Sequence, residues 1–205
     1  MSKISSDKLK LIRKLYLSDN FSAREIGEKL NVSIDAVFYF LRKNKIPRRN
    51  PTQSNNASFA RKVPSFKIKE NLNAEEKELK AIGVTLYWGE GSKWDGENIV
   101  DFTNSDSEMI AVFMKFLRKI CGINETKLRV YLYCYADQKP KELENFWSKL
   151  TGIPTNFFYK PYVRKDFKVE KSGKMKNGLI HVRYNDKKLL LILRKWIEDI
   201  KSVYC

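Results

Sequence analysis

The stretch IGVTLYWGEGSK, residues 82–93, decides how this chain is read. With AEEKELKA before it, it is the end of a helix. Leu79, Ile82, Val84 and Leu86 give an apolar side, and Gly89 and Gly91 end it. One carboxylate, Glu90, projects between the two glycines with no bulky neighbour. Gly83, Thr85 and Gly89 make a small-residue surface that a second helix can approach closely. An acid at a helix C-terminus opposes the helix dipole. Glu90 therefore reads either as a metal ligand or as a bare terminal acid.

Downstream, NIVDFTNSD alternates as a strand, and Ser105 or Asp106 opens a helix through Ile120. LRVYLYCYA (128–136) is a strand and KELENFWSKLTGIP a short helix. FFYKPYVRK and NGLIHVRYN are two further strands, and Asp186 opens a closing helix. The predicted order is helix, strand, helix, strand, helix, strand, strand, helix. That is an α+β domain, read as an antiparallel sheet with helices and assigned to residues 73–205. Trp88, Trp147 and Trp196 are expected to pack its core.

Upstream, residues 6–18 carry Leu9, Ile12, Leu15 and Tyr16 on one helical face. Ser22 with Glu25 has capping-box spacing. Asn31 and Val32 make a short turn, and Ser33 caps a helix to about Asn44. This all-α segment, residues 1–49, resembles the helix-turn-helix of resolvase-like and homeodomain-like DNA-binding modules. The resemblance implies that the third helix enters a major groove and presents Asp35, Ala36, Tyr39, Arg42 and Lys43. A three-helix protein-interaction module is the other reading. Residues 50–72, rich in Pro, Ser, Asn and Gln, read as a linker. From Arg42 to Lys69 there are nine basic residues, Arg48 and Arg49 among them, and no acid. Such a segment tracks phosphates or serves as a plain tether.

Charge refines this picture. The 205 residues carry 40 Lys and Arg against 24 Asp and Glu, a net charge of +16. Residues 1–70 hold +10, residues 71–110 hold −6 and residues 111–205 hold +12. A polyanionic partner is implied, and nucleic acid is the first candidate. The acidic middle reads either as a solvated helix start at Glu75, Glu76 and Glu78 or as a metal site. No apolar run is long enough for a membrane span. Three cysteines, an odd and sparse set, suggest a reducing, cytoplasmic setting, nucleoid-associated when bound to DNA.

The motif around Glu90, followed by the strand ending in FTNSD and an amphipathic helix, resembles the LAGLIDADG homing endonucleases, in a branch joined to a helix-turn-helix. The resemblance covers roughly residues 75–205. It implies a saddle-shaped antiparallel sheet and a homodimer whose motif helices pack through Gly83, Thr85 and Gly89. It also implies Mg²⁺ held by Glu90 of each copy, and hydrolysis of phosphodiesters in double-stranded DNA. A non-catalytic transcription regulator on the same fold is the alternative. Asn104 would orient water, or simply cap a helix. Arg183 is the nearest match to a basic catalytic residue, in an offset register. Lys93, Arg129, Lys160 and Arg164 are the remaining candidate DNA contacts, with the lysines of residues 165–176. Tyr131 and Tyr133 share a face with Arg129, or else belong to the core. His181 reads as a strand residue rather than a base.

Overall fold

The computed structural model describes residues 6–165 and 175–205. Contacts divide the chain into two compact units, Met1–Val63 and Pro64–Cys205.

The first unit holds α1 (Ser6–Leu17), α2 (Ala23–Leu30), α3 (Ile34–Lys43) and α4 (Pro51–Arg61). Ile12, Leu15, Tyr16, Ile26, Val37, Phe40 and Leu41 form its core. Local chemistry sets the elements. The Ser22 hydroxyl accepts from the Glu25 N–H at 3.2 Å, and the Glu25 carboxylate accepts from the Ser22 N–H at 2.8 Å. Asn31 ends α2 in the left-handed region, φ 51° and ψ 52°, which a short polar side chain tolerates. Ser33 then caps α3 by accepting from the Ala36 N–H at 3.1 Å. A Cβ at Gly27 would stand 2.8 Å from the Val32 carbonyl oxygen, so this turn closes only over a glycine.

Residues 50–72 are not the linker read from composition. Asn50 and Gln53 make a second reciprocal capping box, Pro51 sits in the first turn, and α4 follows for 11 residues. Its amino acids are poor helix formers, and tertiary contacts supply what propensity lacks. Ala57 is buried. The Arg61 guanidinium pairs with Glu25 and lies 4.3 Å from the Phe21 ring centroid. Its charge and the Ser22 hydrogen bond, the latter foremost, pull the Glu25 carboxyl down to about 2.

Residues 64–72 belong to the second unit. The Ser65 N–H and hydroxyl both donate to the Asp186 carboxylate at 2.8 Å, and the Tyr184 hydroxyl donates to the Ser65 carbonyl at 2.6 Å. Phe66 bridges to Ile123.

The second unit runs α5 (Ala74–Glu90), β1 (Val100–Asn104), α6 (Ser107–Lys119), β2 (Leu128–Tyr135), α7 (Pro140–Thr151), β3 (Tyr162–Arg164), β4 (Leu179–Tyr184) and α8 (Lys187–Tyr204). This is the element order read from the sequence. The four strands form one sheet in the order β1-β4-β2-β3. β4 pairs antiparallel with β1 and with β2, whereas β3 runs parallel to β2. The sheet is therefore mixed and not the antiparallel sheet expected. α7 explains the difference: a helix between two strands returns the chain to the end from which the first strand started.

Side chains alternate between the two faces of the sheet. Val100 and Phe102, Val130 and Leu132, and Ile180 and Val182 meet Phe113, Leu117, Trp147 and Leu193 in a single core. Trp88 and Trp196 pack at its margin. Cys121 and Cys134 are buried there as free thiols, and Cys205 is exposed. No helix among the described residues is long and apolar enough to cross a membrane.

Candidate nucleic-acid interface

The face of the sheet opposite the core carries the polar and aromatic members of each alternation. On β1 these are Asp101 and Thr103, paired with Arg183 and His181 of β4. On β2 they are Arg129, Tyr131 and Tyr133, paired with Arg183, His181 and Leu179. On β3 they are Tyr162 and Arg164, paired with Tyr133 and Tyr135. Tyr131 and Tyr133 thus lie on this face, half-buried, and not in the core.

A buried carboxylate organises the β1 side. One Asp101 oxygen meets His181 Nδ1 at 2.9 Å, and the other accepts from Arg183 Nε at 2.9 Å. The Thr103 hydroxyl lies 2.8 Å from the same His181 nitrogen. Burial pushes the Asp101 carboxyl upward. The His181 hydrogen bond, with the charges of His181 and Arg183, outweighs burial and holds the carboxyl below its usual value. Sequence reasoning missed Asp101, whose partners stand 80 and 82 positions away. The period-two pairing of FT after the motif with HVR in the last strand was the available signal. Arg183 and His181 are positioned together, and Arg183 also lies 5.5 Å from the Tyr131 ring centroid.

Gly91 bridges to Phe102, and the Ser92 N–H donates to the Asp101 carbonyl at 2.9 Å. These bonds pin the end of α5 to β1, so Glu90 stands at the β1 edge of the sheet. Glu90 is exposed and is the last helical residue. Several of its neighbours in the acidic middle have structural roles. Asn73 and Glu76 form a capping box, Glu75 pairs with Lys115 at 3.3 Å, and Asp106 caps α6. Among the described residues no three His, Cys, Asp or Glu side chains come together to hold a metal ion. Glu90 is thus a single exposed carboxylate, an oxygen donor of the kind that hard divalent cations accept.

Several predicted site residues have structural work instead. A Cβ at Gly83 would fall 2.1 Å from the Phe116 ring, so Gly83 is the seat of α6 on α5 and not a surface for a second copy. Thr85 and Gly89 remain exposed, and the space around Gly89 is open for 4 Å. The Asn104 side chain accepts from the Asp106 N–H at 2.8 Å, an Asx-turn that leads into α6, whose cap is Asp106 itself. Lys93 donates to the Gly89 carbonyl at 2.8 Å and so covers an unpaired carbonyl at the end of α5. Arg49 donates to the Tyr16 and Phe21 carbonyls and to Asn20, and its guanidinium lies 4.3 Å from the Tyr16 ring centroid. It ties the end of α1 to the segment after α3. Arg48 lies 3.8 Å from the Phe38 ring centroid. Arg129 donates to the Thr126 and Leu128 carbonyls. Lys160 precedes β3 in irregular chain, because only Tyr162–Arg164 of the expected strand forms. Of the lysines in residues 165–176, Lys168, Lys171 and Lys174 lie outside the described residues.

In the first unit, Asp35, Tyr39, Arg42 and Lys43 share the exposed side of α3, and Ala36 is half-buried beside them. Tyr39 is 56% exposed, with the Arg42 guanidinium 5.8 Å from its ring centroid. Comparison of the chain with protein-family models, curated proteins and solved structures gives no match.

Proposed function

We propose that this protein binds double-stranded DNA, with α3 as the reading helix. The observation that carries the reading is the outward set on α3. A large exposed aromatic, two cations and one acid share a helix face that α2, Asn31 and the Ser33 cap hold rigid. Such a helix suits a major groove: the tyrosine and Asp35 address base edges, and Arg42 and Lys43 address phosphates. The net charge of +16 supplies the sequence-independent attraction. Selection from a randomised duplex pool tests this reading. A discrete motif is expected. Tyr39→Ala relaxes specificity, and Arg42→Ala weakens binding to all sequences and flattens the salt dependence. Enrichment of no motif, with unchanged affinity in both variants, contradicts it.

A second reading, metal-dependent cleavage of the bound DNA by a homodimer, is favoured by Glu90. Its carboxylate is exposed and makes no side-chain hydrogen bond or ion pair among the described residues, next to the open surface at Thr85 and Gly89. Mg²⁺ there would polarise a phosphate; the chain's own part is to aim one carboxylate from the end of α5. Mg²⁺-dependent cuts that vanish with EDTA and with Glu90→Gln support it. Binding without cuts leaves the regulator reading.

A further inference from the structure

The tyrosines of the open sheet face form one continuous aromatic surface. Tyr131 and Tyr133 meet edge-on with ring centroids 5.1 Å apart. Tyr133 reaches Tyr162 at 5.2 Å, and Tyr131 reaches Tyr159 at 6.2 Å. Tyr159 is 46% and Tyr162 51% exposed, so this surface opens to solvent at its β3 end. Four aromatic rings on the solvent side of a sheet are costly unless something covers them.

Charge selects the covering partner. Arg183 flanks the rings, 5.5 Å from the Tyr131 centroid, and Arg129 shares their face of β2, in a second unit whose residues 111–205 carry +12. Asp101 engages Arg183 through Nε, which leaves its two terminal guanidinium nitrogens available to a phosphate. Aromatic rings beside fixed cations suit a polyanion that also has π-faces. In a duplex those faces are sealed, each base against the next at about 3.4 Å. Only unpaired bases can lay a face on a side chain. We infer that the outer face of the β1-β4-β2-β3 sheet binds single-stranded nucleic acid by stacking unpaired bases on Tyr159, Tyr162, Tyr131 and Tyr133. This site and ligand differ from the duplex contact of α3.

The test uses the full chain and end-labelled oligo-dT and oligo-rU probes of about 12 nucleotides, read by fluorescence anisotropy beside a duplex probe. Single-stranded binding is expected to fall about tenfold in Tyr159→Ala and in Tyr162→Ala. Tyr162→Phe should stay within about twofold of wild type, because the ring and not the hydroxyl does the stacking. Both tyrosines are exposed, so these variants keep the fold. Duplex binding should be unchanged in all three, and Arg42→Ala should weaken the duplex alone. The dT and rU arms tell DNA from RNA. The proposal is overturned if the single strands do not bind, if the alanine variants bind them as wild type does, or if Phe fails as Ala does. It is also overturned if duplex binding falls with the tyrosines. Loss of duplex binding in the α3 variant bears on the major-groove reading only.

Discussion

Asp101 is 6% exposed and shares its charge between His181 Nδ1 and Arg183 Nε, each at 2.9 Å. Its folded value lies below the ordinary 3.8, so the pair stabilises the fold fully above that range. The stabilisation fades as falling pH passes through the folded value. Asp101→Asn is expected to cost about 1–3 kcal/mol near neutral pH. Arg183 keeps 30% of its side chain in water, which holds the cost below that of a fully buried pair. Urea midpoints of wild type and Asp101→Asn should converge as pH falls through and below the ordinary aspartate range; a gap that stays constant contradicts the ion pair. None of this was legible locally. An acid that alternates with Val100 and Phe102 reads as solvent-facing until the register with β4 brings cations beside it. Glu90, by contrast, was legible as an exposed acid at a helix end, since the two glycines beside it are in the sequence.

At the scale of elements, α5 presents two glycines with opposite expectations. Gly83→Ala forces a methyl into the buried Phe116 ring at 2.1 Å and should destabilise the second unit by about 1–3 kcal/mol. Gly89→Ala meets nothing within 4 Å and should be neutral or stabilise by up to about 1 kcal/mol. Thermal melts of the two variants check the pair, and a comparable loss in both would contradict the packing of α6 on α5. Sequence spacing grouped these residues with Thr85, because small size is visible in a sequence and direction is not. The caps at Ser22, Asn31 and Ser33 were legible because their bonds span four residues or fewer. α4 was not, although its Asn50–Gln53 cap is local, because its residues are poor helix formers and the pair that anchors it, Arg61 with Glu25, is separated by 36 positions. The direction of β3 depended on where α7 returns the chain, which no period-two pattern records.

At the scale of the whole molecule, two cores form from separate stretches of chain, Ile12 to Ile46 and Leu79 to Ile197. The second unit begins at Pro64, before the helix start that composition marks near Asn73. Residues 64–205 expressed alone should therefore fold cooperatively and outlast residues 73–205 in denaturant. The difference is expected to be about 3 kcal/mol or more, from the lost Ser65 bonds to Asp186 and Tyr184. Equal midpoints for the two fragments would mean that the Ser65 segment adds nothing.

The three thiols lie in unlike surroundings. Burial pushes the Cys121 thiol up to about 12 and raises Cys134 as well, while Cys205 is exposed. Thiolate is the reactive form, so a maleimide dye meets one nucleophile on the folded chain and three on the opened one. The molecule thus has one natural position for a reporter group, and the count of modified thiols reads out the opening of its larger core.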